Sequence, residues 1–202
     1  MRWANFLHLY QPANQIEEIF HKVANESYKP LIQTLKNYPQ IKITLNINAA
    51  LSEQFLKYGY QDLVNDIVFV AKRGQIEFTD SAKYHALLPF LEKNEIVRQI
   101  KLNRETNEKI FAPAYKPIGF FPPEMAYCPA LAPIIKELGY QWIIIDEIGL
   151  NGRVKQVDTN VIYTIENTNL YVFFRERNPS NLIMSALIRR EQDFKELMGK
   201  EY

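Results

Sequence analysis

The chain has 202 residues, 47% hydrophobic and 23% charged, with a formal net charge of +1. That is enough apolar material for one globular core, without the basic excess that a phosphate backbone demands. No apolar run approaches the ~20 residues needed to span a bilayer, and one cysteine, Cys128, excludes an intrachain disulfide and favours a cytoplasmic protein.

The segment Met1–His8 lacks the long apolar stretch of a signal peptide. Trp3–Leu9 reads instead as a first buried strand. Ile16–Tyr38 carries apolar residues at helical spacing, with Pro30 predicting a kink or break. Lys42–Asn48 alternates aliphatic and polar residues as a strand does. Helical spacing returns over Ala49–Arg73, broken near Gly59, and Gln75–Thr79 is a third strand. Leu87–Phe111 reads as a helix and Ile118–Phe121 as a fourth strand ended by two prolines. A short helix over Pro129–Leu138, capped at Gly139, leads to the wholly apolar Gln141–Ile145, a strand of the kind buried on both faces. Val161–Ile165 and Leu170–Phe174 pair around Asn167-Thr168-Asn169, and Asn178–Met198 closes the chain as a helix. About six core strands alternating with helices predict a parallel α/β sheet or barrel over residues 1–202 as a single domain.

In such architectures the working residues sit where strands end, at the carboxyl edge of the sheet. Polar groups that a core would not want occur at four such ends: His8, Glu77, Glu124 and Asp146. Parallel packing of these strands brings the four to one rim, and carboxylates beside a histidine suit acid–base or glycosyl-transfer chemistry. Each also has a plainer structural reading. Glu124 fits a helix start, His8 a hydrogen-bonded core position, Glu77 a buried ion pair and Asp146 a turn. Asp80, Lys83, Tyr84 and His85 either line the cleft or, as such loop residues more often do, stay solvated, and Arg175-Glu176-Arg177 either reaches the rim or, more in keeping with its charge, is a solvated cluster. Trp142 reads as core, and Cys128 as a small apolar filler.

The segments His8-Leu9-Tyr10-Gln11-Pro12, Gly74 to Pro89 (GQIEFTDSAKYHALLP) and Gly119 to Tyr127 (GFFPPEMAY), in that order, resemble glycoside hydrolase family 57. That family includes α-amylases, 4-α-glucanotransferases and branching enzymes. The resemblance spans most of the chain. It implies a (β/α)7 TIM-like barrel of the glycoside hydrolase and deacetylase type, incomplete at its C-terminal side, with this chain as the N-terminal portion. It implies a retaining enzyme of α-glucans, Glu124 as nucleophile, and substrate contacts from His8, Tyr10, Gln11, Glu77 and Tyr127. Many members have a second histidine where this chain has Tyr10. No cofactor or metal, and no nucleic-acid or membrane partner, is implied.

Retaining chemistry needs two carboxyl groups about 5–5.5 Å apart. The family's acid/base aspartate lies on a later strand, and no matching motif follows Phe174. Either the chain lacks its acid/base or Asp146 substitutes for it. A non-catalytic glycan-binding remnant is the competing function. A metal-dependent polysaccharide deacetylase is weaker, because His8, His21 and His85 include no pair one helical turn apart. The open edges of a partial barrel would invite self-association, or docking of the rest of the enzyme.

Overall fold

A computed structural model describes residues 4–158, 160–184 and 190–198. Trp3, expected in the first strand, lies outside them. The strands are β1 (Phe6–Leu9), β2 (Ile43–Ile47), β3 (Ile76–Asp80), β4 (Gly119–Phe120), β5 (Trp142–Asp146), β6 (Tyr163–Ile165) and β7 (Leu170–Arg175). They form one 7-stranded sheet in the order β1-β2-β3-β4-β5-β7-β6, parallel throughout except where β6 runs antiparallel to β7.

The helices are α1 (Glu17–Val23), α2 (Lys29–Asn37), α3 (Ala49–Lys57), α4 (Gln61–Lys72), α5 (Lys93–Ile110), α6 (Leu131–Glu137), α7 (Ile148–Asn151), α8 (Arg177–Met184) and α9 (Glu191–Met198). Between α1 and α2 the chain widens into a π-helical segment, Ala24–Tyr28, where the Lys29 N–H bonds back to the Ala24 carbonyl. Pro30, in the first turn of α2, has no N–H to give. The break expected at Pro30 is thus a wider turn just before it, within a continuous rod. Pro89 divides the expected Leu87–Phe111 helix into a 3₁₀ turn, Leu88–Phe90, and α5. The expected closing helix is divided into α8 and α9, with 185–189 outside the described residues.

Strand alternation sorts the side chains. Ile43, Leu45, Ile47, Ile76 and Phe78 face the helices and pack with residues such as Phe20, Ile32, Phe55 and Ile67 in one core. Phe120, Ile143, Ile145, Leu170 and Val172 join Ile100, Leu131 and Ile135 in a second. On the opposite face the sheet is concave. Phe6 of β1 meets Phe121, just after β4, with ring centroids 5.0 Å apart. Strands three places apart in a flat sheet would stand ~14 Å from one another at the usual ~4.8 Å spacing. The sheet therefore curls into a half-barrel with its polar strand ends on the inside. Trp142 also lies on this inner face, edge-on to Phe173. It crosses Gly119 so closely that a Cβ there would stand 2.1 Å from its ring.

Candidate active site

Three strand ends build the site. β1 delivers His8 and Tyr10. β3 runs into the loop Ser81–Leu87, which carries His85. β4 is cut short by Pro122-Pro123, and the following 3₁₀ turn, Pro123–Met125, presents Glu124. Glu124 and Met125 both have left-handed backbone, φ 57° and 54°, and so does His85 at φ 56°. L-residues with side chains rarely adopt this region, at a cost of order 1–3 kcal/mol each, and such strain clusters at functional sites. The two hydrogen bonds Met125 N–H to Pro122 O and Ala126 N–H to Pro123 O hold the turn in place.

The carboxylate Oε1 of Glu124 accepts from His85 Nε2 at 2.9 Å, with the His85 side chain 7% and the Glu124 side chain 72% exposed. The donating imidazole is thus shielded and the carboxylate is open to approach. The His85 ring lies 4.2 Å from the Tyr10 ring and 4.9 Å from that of His8, all three within about 24° of parallel. Phe121 closes on His8 from the other side at 4.8 Å.

His8 is fixed by Asn46. The Asn46 amide nitrogen donates to Thr79 Oγ1 at 3.1 Å, which leaves its Oδ1 to accept from His8 Nδ1 at 2.8 Å. The hydrogen therefore sits on Nδ1, and the Nε2 lone pair is buried without a partner among the described residues. Burial, with the neighbouring His85 adding to it, lowers the His8 pKa from 6.5 to about 4, against the upward pull of Asn46 and Glu124. The neutral histidine thus keeps one unpartnered acceptor, covered by the neighbouring rings.

The other candidates are placed differently. Tyr10 joins the rings, but Gln11 turns away: its amide donates to the Tyr28 hydroxyl at 3.2 Å, and that hydroxyl donates to the Tyr10 carbonyl at 3.1 Å. Gln11 holds the loop rather than facing the cleft. Glu77 is exposed on the inner face, but one step below the site. It pairs in register with Thr44 and Phe6, whereas Thr79, Asn46 and His8 share the level above. Asp146 ends β5 with its Oδ1 accepting from Arg177 at 2.6 Å and from the Ile148 N–H at 3.1 Å, and it shares no hydrogen bond with Glu124 or His85. Arg177, expected in a solvated cluster, is the partner that ties it down. Tyr127 packs against the second core beside Gly149.

Two loop residues expected in solvent are buried. β3 extends one residue further than expected, so Asp80 falls on the helix side with Ile76 and Phe78. There it accepts from Tyr140, Asn103, Arg104, Tyr115 and the Ser81 N–H. Burial pushes its carboxyl upward against the pull of those donors. Lys83 pairs with Glu53 at 2.7 Å.

His85, which the sequence left between lining the cleft and plain solvation, stands against Glu124, and Asn46, which sequence reasoning did not single out, fixes His8. Both signals were present: Asn46 is an inward polar position in the alternating run Ile43–Ile47, and His85 follows a strand at the same sheet edge as His8.

The chain resembles characterised proteins. It is 26% identical over 141 residues to the alpha-amylase of Pyrococcus horikoshii, covering 70% of this chain and 22% of that protein. It is 29% identical over an alignment of 218 residues to the 1,4-alpha-glucan branching enzyme TK1436 of Thermococcus kodakarensis, covering 90% of this chain and 32% of that one. The crystal structure of the 4-alpha-glucanotransferase of Thermococcus litoralis superposes with a TM-score of 0.80 at 22% identity, over 89% of this chain and 28% of that chain. The chain thus spans from about a fifth to a third of these relatives. The model of glycosyl hydrolase family 57 matches residues 3–185, and with the half-barrel and the rim just described, this chain belongs to that family.

Proposed function

We propose that this chain supplies the nucleophile and part of the sugar-binding rim of an enzyme acting on α-glucans by retaining double displacement. The observation that carries the reading is Glu124. It is an exposed carboxylate on a strained turn at the carboxyl end of β4, bonded to His85 beside a neutral His8. In the covalent step a carboxylate oxygen of Glu124 bonds to the anomeric carbon, and the glycosidic C–O bond breaks with its electron pair leaving on the departing oxygen. Water or a second sugar hydroxyl then releases the glycosyl group. His8 Nε2, an acceptor unpartnered among the described residues and buried beneath the packed rings, accepts from a sugar hydroxyl once those rings part. Tyr10 offers its ring face, and Glu77, a step deeper, an open carboxylate.

A departing sugar needs a proton, and Asp146, engaged by Arg177, is not poised to give it. A substrate whose leaving group needs none isolates the role of Glu124. A 5-fluoro-α-glucosyl fluoride loses fluoride unaided. Incubation with it should add one fluoroglucosyl group at Glu124, located by peptide mass spectrometry, and Glu124→Gln should abolish the adduct. Absence of any adduct on the wild-type chain would refute the reading.

The engagement of Asp146 favours a second reading, glycan binding without turnover. Maltooligosaccharide binding by calorimetry, with neither adduct nor product, is its signature. The deacetylase reading has less support: His21, the third histidine, bonds the Tyr60 hydroxyl at 2.8 Å on helix α1.

A further inference from the structure

We propose that His85 is a positioning residue that selects which oxygen of Glu124 attacks and holds the side chain in the attacking rotamer. The proposal rests on Glu124 being the nucleophile. Among the described residues His85 Nε2 takes Oε1, and Oε2 accepts no hydrogen bond. The oxygen left free is therefore Oε2. A glutamate as exposed as this one samples many rotamers when unsupported, whereas bond formation needs one near-attack arrangement.

The support is itself anchored. The His85 loop is tied to α5 by the Lys83 N–H to Gln99 O and the Tyr84 N–H to Gln99 Oε1, both at 3.2 Å. It is tied to the start of α3 by Asn48 Nδ2 to Lys83 O at 3.1 Å, and to Glu53 through the Lys83 ammonium. The ring is oriented by its contacts with Tyr10 and His8, since its Nδ1 is buried with no hydrogen-bond partner. A side chain fixed by a tied loop and two packed rings acts on an exposed, strained neighbour through one hydrogen bond. That is the arrangement by which a supporting residue pre-organises a reacting one.

Two substitutions test this in the intact chain with the same 5-fluoro-α-glucosyl fluoride. His85→Asn keeps a residue that tolerates left-handed backbone, so the loop keeps its shape, but its side chain is too short to reach Glu124. His85→Gln places an N–H near the position of Nε2. The rate of Glu124 labelling is followed against probe concentration, to separate the maximal rate from half-saturation. Loss of a hydrogen bond to a charged group predicts a maximal rate about 10- to 100-fold lower in His85→Asn. Half-saturation should stay within about twofold, and His85→Gln should recover most of the rate. Labelling of His85→Asn at the wild-type rate would overturn the positioning role and leave Glu124 as nucleophile. Failure of the wild-type chain to label at Glu124 would overturn both.

Discussion

His8 gives the site a measurable acid sensitivity. An unfolded histidine takes its proton near pH 6.5, while in the folded chain burial against Phe121 and His85 holds that step down to about 4. Between those two values the unfolded state binds the extra proton and the folded state does not. Stability from this group is therefore complete above pH 6.5 and drains away as the pH falls toward 4. The interval of 6.5 − 4 = 2.5 pH units, at 1.36 kcal/mol per unit, corresponds to about 3 kcal/mol. His8→Asn keeps a side-chain N–H for Asn46 and removes the titration. Urea unfolding of both proteins at about pH 7.5 and about pH 4 isolates the difference, because all other titrating groups are common to the two chains. The wild type should lose about 3 kcal/mol more than the variant on acidification, a midpoint difference of roughly 1.5 M at an m-value of about 2 kcal/mol/M. Parallel losses in the two chains would show that His8 is not buried in neutral form as the stacked rings require.

Two further substitutions probe the frame around the site. Gly119→Ala should lower stability by about 1–3 kcal/mol, because its Cβ would meet the Trp142 ring at 2.1 Å and the indole must move; an unchanged melting temperature and indole fluorescence would refute that contact. Asp80→Asn should gain stability relative to wild type as the pH rises. Burial raises the folded-state pKa of Asp80, so its contribution is complete below the unfolded value and is lost as the pH climbs through the folded one. A difference between the two proteins that stays constant from about pH 4 to about pH 8 would count against a buried, upward-shifted carboxyl.

Much of the fold was legible because the strands of a parallel sheet are nearly continuous apolar runs, and their ends are marked by prolines and polar residues. The turn carrying Glu124 was legible from Pro122-Pro123 after Phe120-Phe121. Less local features were not. The depth of Glu77 depends on register, since β3 starts at Ile76 and puts this residue level with Phe6 rather than with His8. Asp80 was misjudged because the strand runs one residue further than the pattern suggests, so the alternation that buries Ile76 and Phe78 carries on to Asp80. Gln11 faces Tyr28 because the helix opposite brings that hydroxyl up to it. Nothing in the spacing of Lys83-Tyr84-His85 signals the left-handed backbone that turns His85 toward Glu124.

The wide turn at Ala24–Tyr28 has a consequence for how this rim can vary. It carries one residue more than an α-helical path would need, and its last residue, Tyr28, holds the Tyr10 carbonyl and the Gln11 amide. Removing a single residue there, Tyr28 itself for instance, would restore α-helical winding and leave α1 and α2 in register, because such a turn is a one-residue insertion that the flanking turns absorb. Loss of Tyr28 would cut the tether beneath Tyr10 while every strand kept its register. A deletion in an outer helix is thus a route by which related chains could reshape the Tyr10–Gln11 loop while leaving the carboxylate turn of β4 as it stands.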